Sequence, residues 1–387
     1  VVRHLWEWLL WGTLGVTAYA YVGYGLLIWL IGRWVDHPSW RSDDLPTISI
    51  VIAAYNEVDV IADRLRNCLA LDYPPDRLEV LVVADGCTDG TEAVVAACPD
   101  PRVRLLLRPR RAGKVNALNA AVAVAHGEIV VGSDANCFFR SDALHRLVRH
   151  FGDPRVAMVA GEKRIQAGPG VASLGEGLYW RYESWLKRLD SRVSSVLGAT
   201  GEIFAVRRSR YFPLPEDSII EDFVLSMGLV MQGFRVVYEP EAIATETASA
   251  SMADEFKRKV RIVAGGWQSV VRLWPLLLPT RGVLTFQYLS HRVLRWIVVP
   301  IALPLAFLAS LLLAVQGRDR WLALGGLALL ALAASGWWLE RRGYRWKPAY
   351  LAYYFLFQNV AALCGAWRYF RRAQPVTWEK ARRLEVP

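Results

Sequence analysis

Cysteine is scarce and unpaired in this chain. Five residues (Cys68, Cys87, Cys98, Cys137 and Cys364) show no CxxC spacing, and six histidines offer neither HxH nor HxxxH. A disulfide framework and a structural zinc site are therefore not expected. The glycine fingerprint GxGxxG is missing after the first apolar strand-like run, and no GxxxxGK[ST] loop occurs. Dinucleotide redox chemistry and P-loop hydrolysis lose their phosphate-binding devices. Charge is absent over four long stretches: Leu9–Ile31 (23 residues), Trp296–Val315 (20), Trp321–Leu339 (19) and Ala349–Trp367 (19). At a rise of about 1.5 Å per residue, each is long enough for a hydrocarbon core of roughly 30 Å.

What is present agrees with those gaps. Of the 387 residues, 54% are hydrophobic and 21% charged, with 17 Trp. That balance excludes a disordered tail or low-complexity scaffold. The formal net charge of +10 suits nucleic acid, anionic lipid and phosphorylated small molecules alike. The first run exceeds the apolar core of a signal peptide. HPSWRSDD follows it where small cleavage-site residues would stand, so it is read as an anchor.

Basic residues beside the runs set an orientation. Arg33 and Arg41 follow the first run, Arg281, Arg292 and Arg295 precede the second, and Arg341, Arg342, Arg345 and Lys347 separate the last two. The positive-inside rule puts residues 32–295 and the 340–348 loop in the cytoplasm. A fourth full span would then export a tail bearing Arg368, Arg371, Arg372, Lys380, Arg382 and Arg383. Gln358 and Asn359 favour a packed or interfacial segment there, and whether 349–367 spans stays open. Because the basic residues cluster beside membrane runs, nucleic acid is not an expected partner.

Between the runs the pattern changes. TISIVIAA (47–54), LEVLVVAD (78–85), VRLLLR (103–108) and EIVVGSDA (128–135) read as strands buried on both faces. Helical stretches near 58–71, 88–98 and 114–125 alternate with them. The alternation predicts an α/β domain with a parallel sheet whose ligands lie beyond the strands' carboxyl ends. Ala54, Tyr55, Asn56 and Glu57 follow the first strand, Asp85 the second, and Asp134 and Asn136 the fourth.

Seven motifs stand in order: AAYNE (53–57), ADGCTDGT (84–91), KVNALN (114–119), SDAN (133–136), ATGEIFAVRR (199–208), IIEDF (219–223) with QGFRVVYEPEAIATE (232–246), and KRKVRIVAGGWQ (257–268). In this order the chain resembles membrane-bound glycosyltransferases of family 2, the GT-A-fold group that includes cellulose, hyaluronan and poly-N-acetylglucosamine synthases. The resemblance covers about 44–300. It implies a Rossmann-like GT-A nucleotide-binding domain in the cytoplasm, flanked by transmembrane and interfacial helices. The expected division is 1–43 as anchor and linker, 44–272 as catalytic domain, 273–295 as amphipathic interface helices, 296–370 as transmembrane helices and 371–387 as a basic tail. The protein would be multi-pass in the cell inner membrane or plasma membrane.

The implied reaction is inverting transfer of a sugar from a nucleotide sugar, with UDP expected, to a glycan or lipid-linked acceptor in polysaccharide synthesis. Ala54, Tyr55, Glu57 and Asp85 would hold the nucleotide, although Asp85-Gly86 also reads as a turn and Asp89 as a helix cap. The family's aspartate pair appears as Asp134 and Asn136. Two oxygen ligands at i and i+2 can hold Mg2+ or Mn2+, which binds the diphosphate. Lys114 and Asn116, at an expected helix start, would meet phosphate oxygens.

Asp222 is the candidate general base, with Glu221 orienting it; adjacent helical residues point about 100° apart, so one of them faces an acceptor. Arg258 and Arg261 share a helix face and would stabilise the leaving group, or meet anionic lipid instead. Gly201 and Glu202 resemble the loop near the acceptor, and Trp180 is a further acceptor candidate. Where the synthases carry QxxRW, this chain has Arg258-Lys259-Val260-Arg261-Ile262. The missing Trp counts against processive extension. A polyprenyl-phosphate sugar transferase and a non-catalytic nucleotide-sensing membrane protein remain as alternatives.

Overall fold

The computed structural model describes residues 2–166, 171–247, 249, 251–344 and 346–377. The last ten residues of the expected basic tail, with Lys380, Arg382 and Arg383, lie outside them. The chain forms two compact units: 1–31, 169–178 and 249–374 make one, and 32–168, 179–248 and 375–387 the other.

The second unit is built on β1 (Ile48–Ala54), β2 (Leu78–Asp85), β3 (Val103–Arg108), β4 (Ile129–Asp134), β5 (Phe138–Phe139), β6 (Val156–Gln166), β7 (Phe204–Arg207) and β8 (Arg235–Thr247). They form a mixed sheet in the order β3-β2-β1-β4-β7-β6-β8-β5. The four strands expected from the sequence pair in parallel, with Ala54 opposite Ala84, Asp85 opposite Arg108 and Ala53 opposite Asp134. Four carboxyl ends therefore finish side by side, and the polar residues after them share one rim. Beyond β4 the sheet departs from the parallel expectation. β7 runs antiparallel to both β4 and β6, while β6 and β8 are parallel to each other.

The core follows from strand alternation. Ile48, Ile50 and Ile52 of β1 and Val80 and Val82 of β2 are buried together with Ile61, Leu65 and Cys68 of the helix Val58–Leu69. Each fully buried aliphatic side chain contributes about 1.5–3 kcal/mol. Arg64 on the same helix is fully buried, donating to Ser133 Oγ at 3.0 Å and lying 4.3 Å over the Phe139 ring. No carboxylate pairs with it among the described residues. It braces the residue immediately before Asp134.

The first unit is helical. Among the described residues three helices, His4–Ile31, Val283–Val315 and Arg320–Arg341, are long and apolar enough to cross a membrane. The segment expected as interfacial helices after residue 273 begins with short turns, and from Val283 it continues into the second of these helices. A π-helical stretch, Tyr288–Val298, lies within that helix. The fourth apolar run forms the helix Lys347–Phe370, which is not one of the three. Its Asn359 is buried and donates to Phe355 O at 2.8 Å. This helix packs closely on Met252–Arg272, because a Cβ at Gly365 would stand 2.7 Å from Val260 O and 3.1 Å from Ala264 N.

Gly365→Ala must therefore push two backbones apart, at a cost of about 1–3 kcal/mol. Thermal unfolding in detergent is expected at a lower temperature than for the parent. Gly325→Ala, whose Cβ meets nothing within 4 Å, is the matched control. It should hold or raise the midpoint, since Ala favours a helix over Gly by about 1 kcal/mol.

Candidate active site

The rim of the parallel strands carries two groups of side chains. At the ends of β1, β2 and β3, Tyr55 lies under the Arg111 guanidinium, 3.6 Å from ring centre to carbon. Asp85 is fully buried. It accepts backbone N–H groups from Ala112 (2.9 Å) and Gly113 (2.7 Å), with Arg108 Nε 3.7 Å away. It thereby fixes the loop that leads into the helix Lys114–Val124. Asn116 braces the same loop, its side chain donating to Ala112 O at 3.0 Å and its carbonyl accepting from Arg108 at 3.1 Å. Ala54 closes β1, and the Glu57 backbone donates to Thr91 Oγ1 at 2.8 Å. Asp89 accepts from the Val58 and Thr91 backbones at 3.0 Å each, although the N-cap positions of their helices are held by Glu57 and Gly90 and not by Asp89 as expected.

The second group centres on Lys114. Its ammonium stands 2.5 Å from Asp134 Oδ1, 2.8 Å from Glu221 Oε1 and 3.5 Å from the Gly201 carbonyl. Burial alone would lower the lysine's pKa, but Asp134 and Glu221 outweigh it and hold it well above the usual value. Lys114 is a permanent cation. Enclosure pushes the Asp134 carboxyl up; Lys114 pulls it down, while Glu202 and Glu246 raise it again.

Glu221 and Asp222 open the helix Glu221–Met231, as the pattern predicts. They divide their roles as adjacent helical residues must. Glu221 is buried against Lys114, whereas Asp222 has no ion-pair partner among the described residues, its Oδ1 accepting the Phe223 N–H at 2.8 Å. Burial foremost, and then the neighbouring Glu221, push the Asp222 carboxyl up to about 7; Lys114 opposes this and Glu202 adds to it.

Gly201 leaves room for the Lys114 ammonium. A Cβ there would meet Lys114 Nζ at 2.8 Å, Glu221 Oε1 at 3.4 Å and Asp222 Oδ2 at 3.7 Å. The preceding Thr200 is buried, and its hydroxyl has no hydrogen-bond partner among the described residues. Glu202 pairs with Lys163, whose ammonium is fully enclosed and also pairs with Glu246. Asn136 donates from Nδ2 to Glu246 Oε1 at 3.1 Å. Trp180, on the helix Val171–Val193, lies with Lys163 5.0 Å and Lys187 5.5 Å from its ring centre.

Thus Lys114, Asp134, Asn136, Gly201, Glu202, Glu221 and Asp222 are gathered into one cluster, while Tyr55, Asp85 and Asn116 line the neighbouring loop. Arg258 and Arg261 belong to the helical unit. There Arg258 holds buried Glu255 at 2.7 Å, and Trp267 packs on Tyr369 and Phe370. Arg111, Lys163 and Glu246 were not singled out from the sequence. Arg111 is one of several basic residues in RPRRAGK, and Lys163 follows Glu162 and precedes Arg164 as if on an exposed strand end. Only the pairing of β6 with β8 buries Lys163 beside Glu246.

Chemically, five carboxylates (Asp134, Glu202, Glu221, Asp222 and Glu246) share two ammonium groups. The donor set fits a divalent cation, which takes oxygen ligands and relieves such crowding.

Comparison with known proteins bears on the family and the fold. Residues 49–211 match the model described as glycosyl transferase family 2. The chain is 29% identical over 244 residues to a poly-beta-1,6-N-acetyl-D-glucosamine synthase of Staphylococcus aureus (strain MSSA476), covering 61% of this chain and 58% of that protein. A Staphylococcus epidermidis protein of the same description is 27% identical over 239 residues, covering 59% and 57%. The match thus spans little more than half the length of these curated relatives. Among solved structures, the mannosyltransferase PcManGT from Pyrobaculum calidifontis, in complex with GDP-Man and Mn2+, is similar with a TM-score of 0.71 at 25% identity, covering 94% of this chain and 99% of that one.

Gly201→Ala should displace the Lys114 ammonium while leaving the fold intact. The expected result is a loss of nucleotide affinity of about tenfold, equivalent to roughly 1.4 kcal/mol, measured by calorimetric titration with the diphosphate nucleotide and checked against an unchanged far-UV spectrum.

Proposed function

Because the chain carries a glycosyltransferase family 2 domain on a GT-A-like fold, we propose that it transfers a sugar, with inversion, from a UDP-sugar to a hydroxyl of a glycan or lipid-linked acceptor. The transfer takes place at the cytoplasmic face of the membrane and serves synthesis of a cell-surface or extracellular polysaccharide. The observation that carries this reading is Asp222, a carboxyl pushed up to about 7, standing in the same cluster as the buried cation Lys114 and the strand-end carboxylate Asp134.

Asp222 takes the proton of the acceptor hydroxyl as that oxygen bonds to the anomeric carbon. The bond from that carbon to the phosphate oxygen breaks, and its electron pair leaves with the nucleoside diphosphate. A positioned base of this kind contributes about 10²–10⁴-fold. Lys114 holds phosphate oxygens and keeps Glu221 in place, so Glu221 sets the charge beside Asp222 instead of accepting the proton. Asp134 and the amide oxygen of Asn136 would hold Mg2+ or Mn2+, which supplies neutralisation of the departing diphosphate. Tyr55, with Arg111 stacked on it, and Asp85 with its loop form the nucleotide end. Thr200 offers its hydroxyl beside Gly201 at the acceptor end, with Glu202 and Trp180 behind it. A GDP-linked donor is the second reading, favoured by the similarity to PcManGT along nearly the whole chain.

Purified full-length protein in detergent with Mn2+ is incubated with separate UDP- and GDP-sugars, and the released nucleoside diphosphate and the product size are measured. Turnover with one UDP-sugar and a single added sugar or ladder is expected; turnover with GDP-sugars alone selects the second donor. Asp222→Asn should lower kcat by about 10²–10⁴-fold. Near-full activity of that variant would instead indicate a phosphate nucleophile, which needs no base. Silence across the panel would favour a sensing protein.

The base must be ionised to act. In the parent, kcat/KM should therefore fall as pH drops through about 7 and level off above it, and Asp222→Asn should lose that limb.

A further inference from the structure

Asn136 occupies the second position of the aspartate pattern, and its amide has one chemically sensible orientation. Nδ2 faces Glu246 Oε1 at 3.1 Å, where an amide oxygen would meet a carboxylate without a proton between them. The Asn136 oxygen is left with the weak thiol donor of Cys137, 3.8 Å away. Glu246 is itself 1% exposed, and enclosed Lys163 pairs with it and with Glu202.

We propose that Lys163 and Glu246 are positioning residues that turn the amide oxygen of Asn136 toward the divalent cation. This rests on the reading that a cation binds at Asp134 and Asn136. The arrangement also explains why the second carboxylate is missing. An Asp at 136 would lose the N–H donor and place its charge against Glu246, and two carboxylates at that distance resist joint ionisation. A neutral ligand at 136 and a buried glutamate at 246 are one matched pair.

The test is Mn2+ binding by the full-length protein in detergent with UDP, read from the electron paramagnetic resonance of free Mn2+, with thermal melts establishing that each variant is folded. Asn136→Asp adds a charge near the cation and would tighten binding if charge alone mattered; the proposal expects it to weaken binding about tenfold, as loss of an outer-shell partner does. Glu246→Gln should weaken binding similarly. The double variant Asn136→Asp/Glu246→Gln should return to within about threefold of the parent, because the new amide can donate to the new carboxylate, giving a non-additive cycle. Tighter binding by Asn136→Asp, or effects that simply add, would overturn the proposal while leaving the cation itself in place. If the parent with UDP binds no Mn2+, the cation reading falls and the proposal with it. Should Glu246→Gln fail to fold, Asn136→Asp alone still decides by the direction of its change.

Discussion

One ammonium group organises the rim of the parallel strands. Lys114 begins a helix, Asp134 ends a strand, Glu221 begins another helix and Gly201 lies in a loop, and all four meet at its Nζ. A buried charge costs several kcal/mol unless its partners are held in good geometry. The elements therefore converge on Lys114, since any one of them moving away would leave an uncompensated charge. The same demand explains the loop that precedes Lys114. Asp85 gathers the N–H groups of Ala112 and Gly113, so the lysine enters its helix from a tethered start.

A second consequence is electrostatic. Two lysines cannot neutralise five carboxylates, and the surplus negative charge falls on groups with different means of bearing it. Glu221, Glu202 and Glu246 have ion-pair partners. Among the described residues Asp222 has no ion-pair partner, and its carboxyl is pushed up to about 7; the Asp134 carboxyl is raised as well, although Lys114 pairs with it. The proposed role of Asp222 as base and this charge surplus have one origin: among the described residues, the carboxylate without a paired cation is the one pushed up to about 7.

The sequence made part of this visible. Strands β1 to β4 and the helices between them are continuous apolar or amphipathic runs, and their alternation specifies parallel pairing with loops at one rim. Lys114, Asp134, Asn136, Glu221 and Asp222 stood at the ends of such runs, where polar residues invite a functional reading. The strands β6, β7 and β8 were not read as sheet members. Their pairing joins residues far apart in the chain, and the antiparallel insertion of β7 between β4 and β6 leaves no local periodicity. Lys163 and Glu246 were hidden for the same reason. A charged residue in a strand looks solvated until a distant strand covers it, and nothing within a few residues of Lys163 announces Glu246.

In the helical unit, the π-helical stretch Tyr288–Val298 lies within the helix that continues to Val315. Such a stretch carries surplus residues per turn relative to an α-helix. Downstream, Ala306, Ala309 and Leu313 pack in one buried cluster with Leu10. In a regular helix, gaining or losing a single residue upstream would rotate that face by about 100°. A wide turn can take up or give back one residue and leave the packed face pointing the same way. Residues 288–298 can accordingly take up a one-residue change in length while the packed face of the helix keeps its direction.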